Sequence, residues 1–146
     1  MELWQRFTSR ARRAVLLAHD DAARMHAQLI STEHLLLGLM RLGEGTASDI
    51  LERLGIDLDR LRTDLRRHMD TSGPGEVTGD VSFTPEAQRV LTRAYQEAKQ
   101  LGDYHIGTEH ILIGLLREGR GAAFRLLRRH GAELSLVRQA LAEQQG

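Results

Sequence analysis

The stretch ISTEHLLLGLMRLGEGTA beginning at Ile30 returns as IGTEHILIGLLREGRGAA beginning at Ile106. The same offset of 76 residues aligns Phe7-Thr8 with Phe83-Thr84, Ala18 with Ala94, Ala22 with Ala98, Gly55 with Gly131 and Leu58 with Leu134. Roughly a third of the aligned positions are identical, far more than shared helical composition yields. Such a duplication restricts the fold, because both halves must use the same elements in the same order. Two equal units that cover each other's apolar faces are expected in a pseudo-twofold arrangement. Between the copies, TSGPGEVTGD from Thr71 to Asp80 concentrates Gly, Pro and small polar residues and reads as a linker. Repeat one is therefore expected over about 1–70, the linker over about 71–80 and repeat two over about 81–146. A chain of 146 residues buries one respectable core but hardly two independent ones, so the repeats should form a single domain.

Each copy parses into four helices, which gives eight and an all-α fold. Thr8 and Thr84 are the expected N-caps of a long first helix, with Pro85 at the first helical position, where its missing amide loses nothing. Ala11, Val15, Ala18 and Ala22 recur at three- and four-residue spacing, a narrow stripe of small residues that lets a neighbouring helix approach closely. A short apolar helix is expected from about Thr32 to Arg41, stopped by Gly43 and Gly45. A third should run to Leu54, and a fourth from Leu58 to Met69 with Leu58, Leu61 and Leu65 as its core stripe. No Val/Ile-rich run bounded by turn residues suggests a strand.

Composition narrows the function. Lys plus Arg and Asp plus Glu both total 20, so the overall balance selects neither nucleic acid nor an anionic membrane. Cysteine is absent, which removes disulfides and thiolate chemistry and suits a reducing cytosol. The start MELWQRFTSRARR lacks an apolar signal core and no segment is long enough to span a bilayer, so a cytoplasmic location is expected. No phosphate-binding G-x-x-x-x-G-K loop occurs, and the serines at 9, 31, 48, 72, 82 and 135 sit in no nucleophile elbow. The chain reads as a non-enzyme without a cofactor.

The paired motifs Thr32-Glu33-His34 to Leu39 and Thr108-Glu109-His110 to Leu115, each followed by a G-x-G turn, resemble the Clp N-terminal repeat domain over almost the whole chain. Both copies of T-E-H, and the closing G-A-E-L-S-L-V-R-Q, are most similar to the branch found in ClpC-type unfoldases. The resemblance implies a position at the N-terminus of a hexameric AAA+ ATPase that feeds the ClpP protease, where such domains collect protein substrates and adaptors. In isolation the domain is expected to be monomeric. A stand-alone member of the family, acting as an adaptor or as a decoy that sequesters ligands or substrates, is the alternative, and both stay open at this point.

Thr32-Glu33 and Thr108-Glu109 each fall where a helix should begin, so free amides, a hydroxyl and a carboxylate meet at one spot. A ligand carrying both phosphate and guanidinium suits such a spot, with phosphate on the amides and guanidinium on the carboxylate. An ordinary helix cap has the same residues. The family resemblance implies phosphoarginine recognition and nominates Glu33 and Glu109, with Thr32 and Thr108 on the phosphate side. Ser31, Leu42 and Arg120 depart from the family pattern, where glycine, glutamate and glutamate are usual. Ser31 either crowds the first pocket or adds a donor, which favours Glu109 over Glu33. His34, His110 and His105 lack a metal-ligand register, and hydrogen-bonded structural histidines are expected at His34 and His110. Phe7 and Phe83 read as hydrophobic staples, with partner binding as the alternative. Trp4 has Asp80 as its counterpart and is expected to be partly exposed and open to a partner. Related domains accept cyclic-peptide antibiotics in this region, but Gln88 and Thr92 depart from the charged residues expected there. Arg12-Arg13, Arg66-Arg67 and Arg128-Arg129 read as solvated faces.

Overall fold

Thr8 and Thr84 start the two long helices as their chemistry predicts. The Oγ1 of each accepts the amide three residues on, from Ala11 and Ala87, both at 3.1 Å. The protein is described by a computed structural model covering residues 3–69 and 82–145, so the expected linker over 71–80 lies outside the described residues. The elements of repeat one are α1 (Leu3–Arg6), α2 (Ser9–Arg24), β1 (Leu29–Ile30), α3 (Thr32–Leu42), α4 (Thr46–Arg53) and α5 (Leu58–Met69). Those of repeat two are β2 (Ser82–Phe83), α6 (Pro85–Gln100), α7 (Thr108–Glu118), α8 (Gly121–Arg129) and α9 (Leu134–Gln145). The expected eight helices are present, and α1 adds a ninth short one among the described residues.

Helices α2 and α6 carry the small-residue stripe, and each packs closely on the apolar helix that follows it. Ala11, Ala14, Val15, Ala18 and Ala22 are buried along α2. Gly38 of α3 sits against Ala14 and Ala18, where an added Cβ would collide with the Ala14 carbonyl oxygen. Gly114 of α7 repeats the contact in the second copy, where a Cβ would lie 2.5 Å from the Val90 carbonyl oxygen. Gly43 and Gly119 end α3 and α7 in the left-handed region, at φ 66° and 68°, which a residue without a Cβ enters at little cost.

The absence of strands expected from sequence is corrected at two short places. Leu29–Ile30 pairs in parallel with Ser82–Phe83, and Phe7 forms the equivalent bridge with Ile106. The Thr84 amide donates to the Ile30 carbonyl and the Thr8 amide to the Ile106 carbonyl, both at 2.9 Å. Each repeat's Phe-Thr entry thus lies along the segment before the other repeat's T-E-H motif. Pairs two residues long leave no readable periodicity in a sequence. Their effect is to cross the halves, and the core draws on both: Leu36, Leu37, Leu61 and Leu65 from repeat one join Leu112, Ile113, Val137 and Leu141 from repeat two. Burying a leucine of this kind contributes about 1.5–3 kcal/mol.

Carboxylates inside this core are paired. Asp21 accepts from Arg41 at 2.7 Å, and Glu97, its counterpart 76 residues on, takes Arg138 through two bonds of 2.9 Å with Arg117 beside it at 3.6 Å. Glu118 binds Arg89 at 2.8 and 3.0 Å and Arg93 at 3.3 Å. Leu42 holds the equivalent place in repeat one and has no such pairs.

Candidate functional site

The crossing of the halves puts each T-E-H motif against the G-x-G turn of the other repeat. Thr108, at the first position of α7, faces Gly45, and its Oγ1 accepts the Ala47 amide at 3.1 Å, capping α4 of repeat one. Thr32, at the first position of α3, lies in the same way near Gly121 at the start of α8. Neither threonine caps its own helix, so the helix-cap alternative is corrected in detail. Ser31 and Gly107 occupy the N-cap positions. The loop is closed by histidine: the Ser31 amide donates to His34 Nδ1 at 3.0 Å and the Gly107 amide to His110 Nδ1 at 2.9 Å. Both imidazoles are buried, and His110 Nε2 lies 3.1 Å from Asp103, as expected for structural histidines. Burial holds the His34 imidazole below its ordinary pKa, against the opposing charges of Glu33 and Asp21. His105 is exposed, stacked edge-on against Tyr104.

A cavity of about 480 Å³ opens at the second-copy motif, lined by Thr8, Arg10, Arg13, Glu44, Thr108 and Glu109 among others. It gathers the N-termini of three helices, α2 at Ser9, α4 at Thr46 and α7 at Thr108. Their first amides have no intrahelical acceptor, and their dipoles place positive potential in the cavity. Two guanidinium groups reinforce it: Arg10 and Arg13 each lie 3.5 Å from the Glu44 carboxylate, on largely exposed side chains. Glu109 projects over Gly107 and hydrogen-bonds to none of the described residues. The site therefore offers donors for an anion and, beside them, an open carboxylate for a cation.

The first-copy motif is arranged differently. Thr32 Oγ1 donates to Glu33 Oε1 at 2.8 Å, and Ser31 Oγ sits 2.9 Å from His34 Nδ1. The four nominated residues thus form two separate sites. A larger cavity, about 570 Å³ between the end of α2 and α5, is lined by Arg24, Arg66, Arg67 and two methionines, and among the described residues it has no carboxylate to pair with a guanidinium. Among the aromatic candidates, Trp4 is 42% exposed and meets Phe7 edge-on at 5.5 Å, while Arg12 lies 5.9 Å over its ring. Phe7 is 3% exposed and belongs to the core, so it presents no surface to a partner. Phe83 is half-buried in β2. The sequence reading did not reach Arg10, Glu44 and Thr46 and placed Arg13 only on a solvated face, because all four come to Thr108 only through contact between the repeats.

Residues 6–130 match the Clp repeat (R) N-terminal domain family. The chain belongs to that family. It is 41% identical over 136 residues to the chloroplastic ClpA homolog, an ATP-dependent Clp protease ATP-binding subunit, of Brassica napus, and to the chloroplastic chaperone protein ClpC1 of Arabidopsis thaliana. These alignments cover 93% of this chain but only 15% and 14% of the relatives, so the Clp domain here spans about one seventh of their length. The N-terminal domain of the chaperone ClpD from Arabidopsis thaliana has the same fold, with a TM-score of 0.75 and 28% identity, and the superposition covers 98% of this chain and 97% of that one. The chain is thus related to the N-terminal domains of ClpC- and ClpA-type chaperones.

Proposed function

We propose that this Clp domain recruits substrates and adaptors for a ClpC-type ATP-dependent unfoldase and reads phosphoarginine on the proteins it recruits. The observation that carries the reading is the cavity at Thr108–Glu109, where three helix N-termini and two arginines surround a glutamate that has no partner among the described residues. Phosphoarginine needs both halves. Its phosphate suits the amides of α2, α4 and α7 with Arg10 and Arg13, and its guanidinium suits the Glu109 carboxylate as a charge-assisted pair. Free phosphate lacks the second contact, and arginine lacks the first. The recruitment is binding without turnover, and its affinity for a marked protein rises when several domains surround one ATPase ring. Trp4, partly exposed beside the buried Phe7 ring, is available to adaptors or apolar segments.

The test is a titration of isotopically labelled chain with phosphoarginine, with arginine and inorganic phosphate as controls. Selective amide shifts at Ser9–Arg10, Thr46–Ala47 and Gly107–Glu109 are expected. A response no larger than that to the controls would refute phosphoarginine recognition and leave recruitment to the Trp4 surface.

A further inference from the structure

Positions 31 and 107 are equivalent in the two repeats, but one carries serine and the other glycine. Glu109 folds back over Gly107, into space that a Cβ on that residue would fill. Ser31 has that Cβ, and its Oγ is fixed by the His34 amide at 3.3 Å and His34 Nδ1 at 2.9 Å. Glu33 is thereby kept out of the pose that Glu109 adopts, and its carboxylate accepts the hydrogen bond of the Thr32 hydroxyl instead. The two side chains that a ligand would need at this motif are bound to each other. At the other motif, Thr108 is 3% exposed, accepts the Ala47 amide, and finds no acceptor for its own proton among the described residues. A buried hydroxyl with an unused donor, lining a cavity, is a group that a ligand oxygen would complete.

Charge separates the two places as well. Arg10 and Arg13 correspond to Glu86 and Arg89 in repeat two. Arg89 is drawn onto the buried carboxylate of Glu118, which also holds Arg93. Leu42 stands where repeat one would need such a carboxylate, so Arg13 has no inward partner among the described residues and reaches the cavity mouth. There it shares the Glu44 carboxylate with Arg10 at 3.5 Å, a loose and exposed contact of the kind that contributes little. A phosphate group, with more charge and three acceptor oxygens, outcompetes such a carboxylate for two guanidinium groups. At the positions equivalent to Arg10 and Glu44, repeat two carries Glu86 and Arg120, so the order of the charges is exchanged between the copies.

From these observations, and resting on the phosphoarginine reading above, we infer that the two sites have diverged. The Thr108–Glu109 cavity is the one phosphoarginine site of the domain, with Arg10 and Arg13 as its phosphate ligands and Glu44 as a displaceable occupant. The Thr32–Glu33 motif is closed by Ser31.

Calorimetric titration of the full 146-residue chain with phosphoarginine should give one site per chain. Glu33→Ala should leave the Kd within about twofold, whereas Glu109→Gln and Arg13→Ala should each weaken it at least about tenfold. Glu44→Gln should tighten it, since the competing charge is gone. Amide spectra of each variant show whether it is folded, and Glu109→Ala provides a second truncation of the same carboxylate. Two sites per chain, or equal losses from Glu33→Ala and Glu109→Gln, would overturn the single-site inference while the phosphoarginine reading stands. No heat and no shift at either motif would overturn both.

Discussion

Gly107 and Ser31 have nearly the same backbone, φ −98° and ψ 179° against φ −94° and ψ 174°, so the difference between them is a side chain and not a conformation. Gly107→Ser should therefore fold normally. A serine there can accept the His110 amide as Ser31 accepts that of His34, a change worth a few tenths of a kcal/mol relative to glycine. The same side chain displaces Glu109. We expect the melting temperature to hold or rise slightly while phosphoarginine affinity falls about tenfold or more, and parallel melting and titration check the split. His34 gives a pH signature. Burial keeps its folded pKa below the ordinary 6.5, so the unfolded chain binds the proton more readily. Its stabilising contribution is complete above that ordinary value and is lost as pH falls from there through the lowered folded value. Urea midpoints should drop from about pH 7.5 to about pH 5.5, and His34→Gln should flatten the dependence, because glutamine at this position can still accept the Ser31 amide but does not titrate.

Among the elements, contact between α2 and α3 and between α6 and α7 depends on one glycine each. A Cβ at Gly38 meets the Ala14 carbonyl, which is backbone and cannot rotate away. Gly38→Ala should cost about 2–4 kcal/mol by urea denaturation, with Gly114→Ala close behind, although alanine is the better helix former. The alanine stripe on α2 made that close approach legible in the sequence. The buried ion pairs were less so. Asp21 and Glu97 align across the repeats beside buried alanines, a signal that acids sit on an inward stripe, but their arginines come from α3, α7 and α9 and needed the packing to be seen. Glu118 tests how much such a pair matters. Its Arg89 partner holds the carboxyl below the usual glutamate range, so the pair supports folding above that range and fails as pH falls through the lowered value. Glu118→Ala should lower the urea midpoint clearly, and Glu118→Leu, the residue that Leu42 already supplies in repeat one, should lower it less, because a fitting apolar side chain replaces the ion pair without leaving a void.

At the scale of the whole molecule, the repeats are crossed rather than stacked. Phe7 of repeat one rests against Ile106 of repeat two, and Ile30 pairs with Phe83, so each half closes the other. A fragment of residues 1–70 should then lack a closed core and show little cooperative unfolding by circular dichroism, and mixing it with residues 81–146 should restore helical signal and a melting transition. An independently cooperative fragment would contradict this interdependence. Sequence alone determined the duplication, the helices and their ends, the capping threonines, the left-handed glycine at Gly43 and the inward alanine stripe, because each depends on residues within a few positions of one another. It also placed Glu33 and Glu109 at helix starts. Only the tertiary structure decided that Thr108 caps a helix of the other repeat and that Arg10 and Arg13 face its cavity. Those arrangements depend on which surfaces meet when two similar halves cross, and contacts between residues some 60 to 100 positions apart leave no periodic trace along the chain.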